Sequence, residues 1–507
     1  MPKFYLTTAI DYSNGDPHLG HALEKVGADA IARYHRLRGF DVRFLMGMDE
    51  HSQSVISAAE ANGVTPMEWV DEMARRFERF WQRLECSNDD WIRTTEPRHV
   101  AGVHALLRQI KDENPDDIYL GEYEGLYCNG CEEFKPDNQI VNGHCIEHPT
   151  LELVPTREKN HFFRLSAYRE KLLELITTGS FKVEPAIRRN EVLRLLEGEL
   201  LDISISRARF AWGIPFPDSP GHTVYVWFDA LINYLSATGY PEPGYERIWP
   251  AELHIIGKGI TRFHCVIWPA MLLAAGLPLP KEVWAHGYVQ WEGAKMSKTA
   301  GTAVNLDDAI ARHGPDPLRY FLLREVGFEN DGDFTWDRFD GRYVSDLADG
   351  LGNLVARSLS MIAKYRSGVV PAGAATDLDR AGAEQLAKYR TAMDGLDLKG
   401  GADAAWKLVD DANQYIVRTA PWSLAKQTKD AELDAALHSL ANCLYRLAVM
   451  AYPFIPGKAA EIWDCLGQAR ELLDRPSLHL ADDPPVAGAS VRTPPVLFPK
   501  PARDPSA

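Results

Sequence analysis

The sequence predicts an α/β fold in which a doubly wound parallel sheet is split by an insertion and followed by an all-helical bundle. Three observations carry this. From residue 3 to about 115, short apolar runs alternate with amphipathic stretches, as in parallel sheets covered by helices. Between about 116 and 216 the alternation gives way to cysteines, turn residues and a helical stretch near Tyr168 to Thr177; it resumes with apolar runs at Thr223 to Phe228 and Leu253 to Ile256. Beyond about 340 strand signals nearly vanish, and the apolar period is that of helices.

Each element follows in order. Phe4 to Ile10 reads as the first strand, and Tyr12, Ser13, Asn14 and Gly15 as a turn. Asp16 and Pro17 have the form of an N-cap and first helical residue. His18 and His21, in His18-Leu19-Gly20-His21, then fall on the opening turn of a helix, three apart. Such a turn offers N–H donors and the positive end of a helix dipole, which suit phosphate. Val42 to Met48 is the second strand. Asp49 stands at its end, where a lone Asp has the form of a helix N-cap. Thr65-Pro66-Met67-Glu68 is a capping box that opens a helix through Leu84. After Thr223 to Phe228, residues Trp227, Ala230 or Leu231, and Tyr234 recur at helical spacing. His254 to Gly259 ends another strand. The bundle comprises Tyr343 to Tyr365, Ala381 to Met393, Ala402 to Val417 and Ala431 to Tyr452, and Pro421-Trp422 ends one of its helices with a large aromatic. Residues 482–507, rich in Pro, Ala and Asp, read as a tail or loosely docked segment. Ligands of such a sheet gather outside the strand carboxyl ends.

The chain thus divides into 1–115 and 217–292 as two halves of a nucleotide-binding domain, 116–216 as insertion, 293–342 as a lysine loop and its continuation, 343–481 as the bundle and 482–507 as tail. A length of 507 residues agrees with about three domains. Hydrophobic residues at 45% and charged residues at 25% exclude the disordered and membrane classes. No signal peptide or span is evident, and seven cysteines, an odd number, argue for a reducing compartment, the cytoplasm. The formal charge of −16 means that any RNA partner needs a local positive track, for which Arg188, Arg189, Arg207, Arg209, Lys295 and Lys298 are candidates. Binding there would be salt-sensitive.

Two further clusters carry chemistry. Lys295-Met296-Ser297-Lys298-Thr299 sets two lysines three apart on a glycine-punctuated segment, Gly287 to Gly301, suited to closing over a leaving pyrophosphate. Cys128, Cys131, Cys145 and His148 form C-x2-C, a gap of thirteen, then C-x2-H, with Gly130 and Gly143 nearby, the ligand set of one tetrahedral structural Zn2+ per chain. A redox pair would explain neither Cys145 nor His148. With four protein ligands the metal staples the insertion and performs no chemistry. Cys86, Cys265, Cys443 and Cys465 read as small buried hydrophobes.

The histidine tetrad and the lysine motif together resemble the signatures of class I aminoacyl-tRNA synthetases, and their surroundings resemble the methionyl-tRNA synthetase family, of the single zinc-knuckle type, up to about residue 470. The resemblance implies a Rossmann-like catalytic domain split by a zinc-binding insertion, a stem-contact segment after the lysine loop and an anticodon-binding bundle. It implies ATP-dependent ligation of L-methionine to tRNA(Met) through methionyl adenylate, with Mg2+ arriving on ATP. His18, His21, Lys295 and Lys298 would be catalytic. Gly20, Gly257 and Thr299 join them around ATP, where Gly259 departs from the acidic residue common in relatives and Thr299 from the commoner serine. Methionine would be held by Ala9, Ile10, Tyr12, Trp227, Ala230, Leu231, Tyr234 and His286, with Asp49 on its α-amino group. Asn353, Arg357 and Trp422 would read the anticodon. An insertion of roughly a hundred residues is small for the editing domain of the leucine, isoleucine and valine relatives. No extra C-terminal module is evident, which favours a monomer. The rivals are another amino acid within the class, and a noncatalytic RNA-binding paralogue.

Overall fold

The computed structural model describes the chain except residues 129–132, 136–138, 147–148, 209, 292, 296–303, 469–476, 493–495 and 501–507; the side chains of 123, 133, 134, 294 and 295 also lie outside the description. Six strands build the central sheet: β1 (Lys3–Thr8), β2 (Asp41–Asp49), β3 (Asp90–Arg93), β4 (Lys182–Glu184), β5 (Leu253–Gly257) and β6 (Glu282–His286). They run parallel in the order β4-β6-β5-β1-β2-β3. Asp11 and Tyr12 add a short pairing to the end of β2. The order reverses at β1, whose neighbours are β2 and the distant β5, so the crevice beyond the carboxyl ends of β1 and β5 is where a doubly wound sheet binds its ligand.

Helix α1 (Leu19–Leu37) follows β1, and α2 (Pro66–Arg83) follows β2. The expected capping box opens α2: Thr65 Oγ1 accepts from the Glu68 amide and Glu68 Oε2 from the Thr65 amide. Its Val70, Met73, Ala74, Phe77 and Trp81 recur every three or four residues and are buried.

The insertion is antiparallel. Ile118–Cys128 lies between Val154–Phe163 and Glu133–Lys135, and Ile203–Ser204 extends the other side. Within 116–216 the chain touches the parallel sheet once, where β4 pairs with β6, before Ile203–Ser204 returns to the antiparallel sheet. A three-residue edge strand is too short for periodicity to reveal. Thr223 to Phe228 is also not one strand. Only Thr223–Val224 is extended, in a separate antiparallel pair with Ser206–Arg207, and α3 (Val226–Leu231) begins at once. A short apolar run suits either state, and burial here selects helix.

The bundle contains α4 (Asn353–Arg366), α5 (Asp377–Asp394), α6 (Leu398–Thr419), α7 (Pro421–Lys426) and α8 (Asp430–Ala451), preceded by a wide π turn, Tyr343–Gly352. Pro421 starts a helix, contrary to the expectation that Pro421-Trp422 ends one; its fixed φ suits the first turn. The described part of 482–507 is docked tightly. Residues 488–491 bond to the 368–370 backbone, Tyr343 donates to the Pro499 carbonyl, and Leu497 and Phe498 are buried.

Arg319, in the segment that precedes the bundle, ties the nucleotide-binding domain to the chain beyond α8, and Asp394 of α5 adds bonds to Tyr34 of α1 and to Arg38 just after it. Arg319 is fully buried and donates to Asp29 of α1 (2.7 Å), to the Leu84 carbonyl (2.9 Å) and to the Pro453 carbonyl beyond α8 (2.8 Å). Burial alone would push the Asp29 carboxyl up; Arg33 and Arg319 hold it well below the usual carboxylate range.

Candidate active site

One cavity of about 290 Å³ opens at the carboxyl ends of β1, β5 and β6, and it gathers thirteen of the predicted residues: Ala9, Ile10, Tyr12, His18, Gly20, His21, Asp49, Trp227, Ala230, Leu231, Tyr234, Gly257 and His286. Residues separated by more than 250 positions in the sequence thus share one wall.

The two histidines stand differently from the expectation. His18, not Asp16, is the N-cap of α1, and Asp16 pairs with Arg76. His18 Nδ1 accepts from the amides of Gly20 (3.1 Å) and His21 (3.4 Å), while His21 Nδ1 accepts from the His18 amide (3.3 Å). The rings stack, centroids 3.7 Å apart. The amides of Gly20 and His21 are therefore satisfied by an imidazole. A ring that accepts at Nδ1 carries its proton on Nε2, so each histidine offers an Nε2–H donor. Gly20 gives this packing room, since a Cβ there would lie 3.1 Å from the His18 ring, a tight contact.

The other end of the cavity is aromatic. Trp227 stacks between Tyr12 (5.8 Å) and Phe263 (4.8 Å). Tyr234 donates its hydroxyl to His264 Nε2 (2.7 Å), and His264 Nδ1 donates to the Ile260 carbonyl (3.0 Å). Burial pushes His264 down to about 4, leaving it uncharged at neutral pH. A pocket of rings and uncharged donors suits a polarisable apolar side chain. Asp49 is buried at the tip of β2, its carbonyl held by the Ser13 amide and hydroxyl. It caps no helix, because Ser52 caps the one that follows.

Beneath the loop Ala9 to Tyr12 lies a charged cluster that the sequence did not disclose. Lys25, fully buried, donates to the Ala9 carbonyl (2.7 Å) and pairs with Asp11 (2.8 Å) and Glu24 (2.8 Å). Glu24 also meets His286 Nε2 (3.1 Å), whose Nδ1 donates to the Gly287 carbonyl (2.7 Å). Burial pushes Asp11 up to about 6 against the pull of Lys25. For Glu24, burial is outweighed by Lys25 and His286, which hold it below the ordinary value. Phe263, His264, Glu24 and Tyr288 also line the cavity, with Asp11, Gly259, Ile260 and Gly287. Phe263 and His264 sit on a π turn, which sequence periodicity does not mark.

Lys295 closes a hairpin, pairing with Gln290, and the outgoing arm starts at Val289, directly after Tyr288 in the cavity wall. Its side chain, and Lys298 and Thr299, lie outside the described residues. Of the expected positive track, Arg188 is buried and pairs with Glu191 (2.6 Å), and Arg207 lies over the Tyr225 ring at 3.9 Å. Arg209 lies outside the description. In the insertion Cys128 and Cys145 are buried at the ends of two strands, a setting that fits thiolate ligands. Cys131 and His148 lie outside the described residues, and among those described no group of three His, Cys, Asp or Glu could hold a metal. Cys265, Cys443 and Cys465 are buried as expected, while Cys86 is partly buried. On the bundle, Asn353 and Arg357 are exposed on α4 and Trp422, 40% exposed, on α7, and these two helices pack together.

Comparisons with known proteins agree with this arrangement. The family model described as tRNA synthetases class I (M) matches residues 4–359, and the anticodon binding domain of methionyl tRNA ligase matches 367–506. A methionine--tRNA ligase of Thermotoga maritima is 42% identical over 91% of the chain and 75% of its own length; one of Mesorhizobium japonicum is 42% identical over 100% and 99%. The structure of Mycobacterium tuberculosis methionyl-tRNA synthetase with methionyl-adenylate superposes with a TM-score of 0.93 at 38% identity, covering 98% of this chain and all of that one. The model matches, the near full-length identity and the shared cavity lead to one conclusion: the chain belongs to the methionyl-tRNA synthetase family, class I ligases that join methionine to tRNA at the expense of ATP.

Proposed function

We propose the following division of labour for the family reaction. Methionine enters the aromatic end, its thioether among Tyr12, Trp227, Ala230, Leu231 and Tyr234, with Ala9, Ile10 and His286 closing the walls and its ammonium on Asp49. ATP lies along the start of α1, with its adenosine side against Gly257. A carboxylate oxygen of methionine attacks the α-phosphorus, the bond to the bridging oxygen breaks and pyrophosphate leaves. The Nε2–H donors of His18 and His21, with Lys295 and Lys298, meet the charge that develops there. A hydroxyl of the tRNA 3′ end then takes the acyl group and AMP departs. No protein nucleophile is needed. Mg2+ travels with the phosphates.

One observation carries this reading: a single cavity is lined by both histidines, Asp49 and the aromatic set. Pyrophosphate exchange tested against all twenty amino acids checks it. Exchange with methionine alone is expected; exchange with a different amino acid, or with none, rejects it.

Three further assignments belong to the same proposal. Zn2+ is held by Cys128, Cys131, Cys145 and His148; the burial of Cys128 and Cys145 supports this, and metal analysis should find one equivalent per chain. The anticodon bases meet Asn353, Arg357 and Trp422, with Trp422 stacking an unpaired base. The exposure of all three supports it. Trp422→Ala is then expected to spare pyrophosphate exchange and to lower tRNA charging by about 10- to 100-fold, since stacking contributes about 1 to 3 kcal/mol per base. Equal loss of both would show a folding role instead. Finally, we assign a monomer in the cytoplasm, checked by sedimentation at the 56.8 kDa of one chain. No helix among the described residues is long and apolar enough to cross a membrane.

A further inference from the structure

Gly259 follows β5 in a single helical turn, Lys258–Ile260, at the rim of the cavity, and its φ lies outside the left-handed region. Backbone conformation therefore does not require glycine there. Space does: a Cβ at 259 would lie 2.3 Å from the Tyr288 hydroxyl and 3.5 Å from its ring carbon. The hydroxyl occupies the volume that a side chain at 259 would fill.

The tyrosine is held in that position from two sides. Its ring lies over Lys258, whose Nζ is 4.5 Å from the centroid. Lys258 is fixed by both oxygens of Asp331 at 2.7 Å, and Asp331 Oδ1 also accepts the Tyr288 amide at 2.9 Å. One carboxylate thus anchors the cation beneath the ring and the backbone that carries the ring. Tyr288 lines the cavity beside Gly257 and Gly259, on the wall opened by the carboxyl ends of β5 and β6. A phenol there can both donate and accept a hydrogen bond, which is what a vicinal diol asks of a partner.

We propose that Tyr288 is a specificity-determining residue of the nucleotide site, its hydroxyl contacting the ribose diol of ATP in the space that Gly259 leaves open. The inference rests on the reading that ATP binds this cavity.

The experiment is methionine-dependent pyrophosphate exchange by the full chain with ATP, 2′-deoxy-ATP and 3′-deoxy-ATP. The wild type is expected to prefer ATP over at least one deoxynucleotide. Tyr288→Phe should raise KM for ATP by about three- to tenfold, the worth of one neutral hydrogen bond, and narrow that preference by a similar factor. KM for methionine should not move. Gly259→Ala, whose methyl would collide with the hydroxyl, should reproduce the effect without touching the tyrosine. Tyr288 is 42% exposed, so loss of one oxygen leaves the fold intact. An unchanged KM for ATP, or an unchanged preference, in Tyr288→Phe overturns the inference while the function stands. Absence of exchange in the wild type would remove the function itself, and this inference with it.

Discussion

His21→Ala should lower methionine-dependent pyrophosphate exchange by about 10²- to 10³-fold, the usual loss when one preorganised donor to developing charge is removed. The expectation follows from which nitrogen is committed. His21 Nδ1 accepts from the His18 amide, so the proton, and hence the donor, resides on Nε2. The same substitution removes half of a capping box, a loss of about 1 kcal/mol. These two effects separate cleanly. A cap loss lowers the melting temperature and leaves kcat alone at temperatures where the enzyme is folded, whereas donor loss lowers kcat there. Methionine binding, followed without ATP by tryptophan fluorescence, should stay within about twofold, because the role proposed for the histidines is on the phosphates and not on methionine. If exchange survives in His21→Ala, the phosphate role of the tetrad must be given up.

Lys25→Met should destabilise the protein by about 3 to 5 kcal/mol, because it leaves Asp11 and Glu24 buried without their cation. The ammonium is 1% exposed and also holds the Ala9 carbonyl, so it shapes the loop that lines the methionine end. The pH dependence has a definite sign. Burial already raises Asp11 to about 6 with Lys25 present, and without it the carboxyl rises further. A carboxyl whose folded pKa exceeds its unfolded value binds more protons folded than unfolded, so stability grows as pH falls. The deficit of the variant should therefore be larger at pH 8 than at pH 5. Denaturant melts at the two values measure it, and a deficit that is constant with pH would show that packing, not charge, is what Lys25 supplies. The double variant Asp11→Asn with Lys25→Met should recover part of the loss.

Much of this site was legible because chain-local spacing carried it. The tetrad His18 to His21, Asp49 at a strand tip and the period of Trp227, Ala230, Leu231 and Tyr234 are patterns of three to nine residues, and the cavity confirms that they converge. What failed was of a different kind. Asp16-Pro17 obeys the ordinary capping rule, but a histidine in a stacked pair outcompeted it for the helix start. Thr223 to Phe228 has strand composition, yet tertiary burial turned its second half into helix. Lys25 and Glu24 look like the solvent face of α1 and are buried, since their partners come from the preceding loop and from residue 286. Tyr288 acquires meaning only from Gly259 and Asp331, which are close in space and distant in sequence. Contacts of that sort leave no periodic trace.

The arginine at 319 has a consequence for how this chain can be divided. It satisfies a carboxylate on the very helix whose first turn holds the paired imidazoles, and it is seated by carbonyls on the far side of the bundle. Cutting the polypeptide between the two halves would leave Asp29 with Arg33 and Arg319 but would take two carbonyl acceptors, those of Pro453 and Phe454, from a guanidinium that is fully buried. The second half thus completes a buried site of the first, and a shortened catalyst made from the first 340 residues should be less stable than the whole chain because the Arg319 guanidinium loses its Pro453 and Phe454 acceptors.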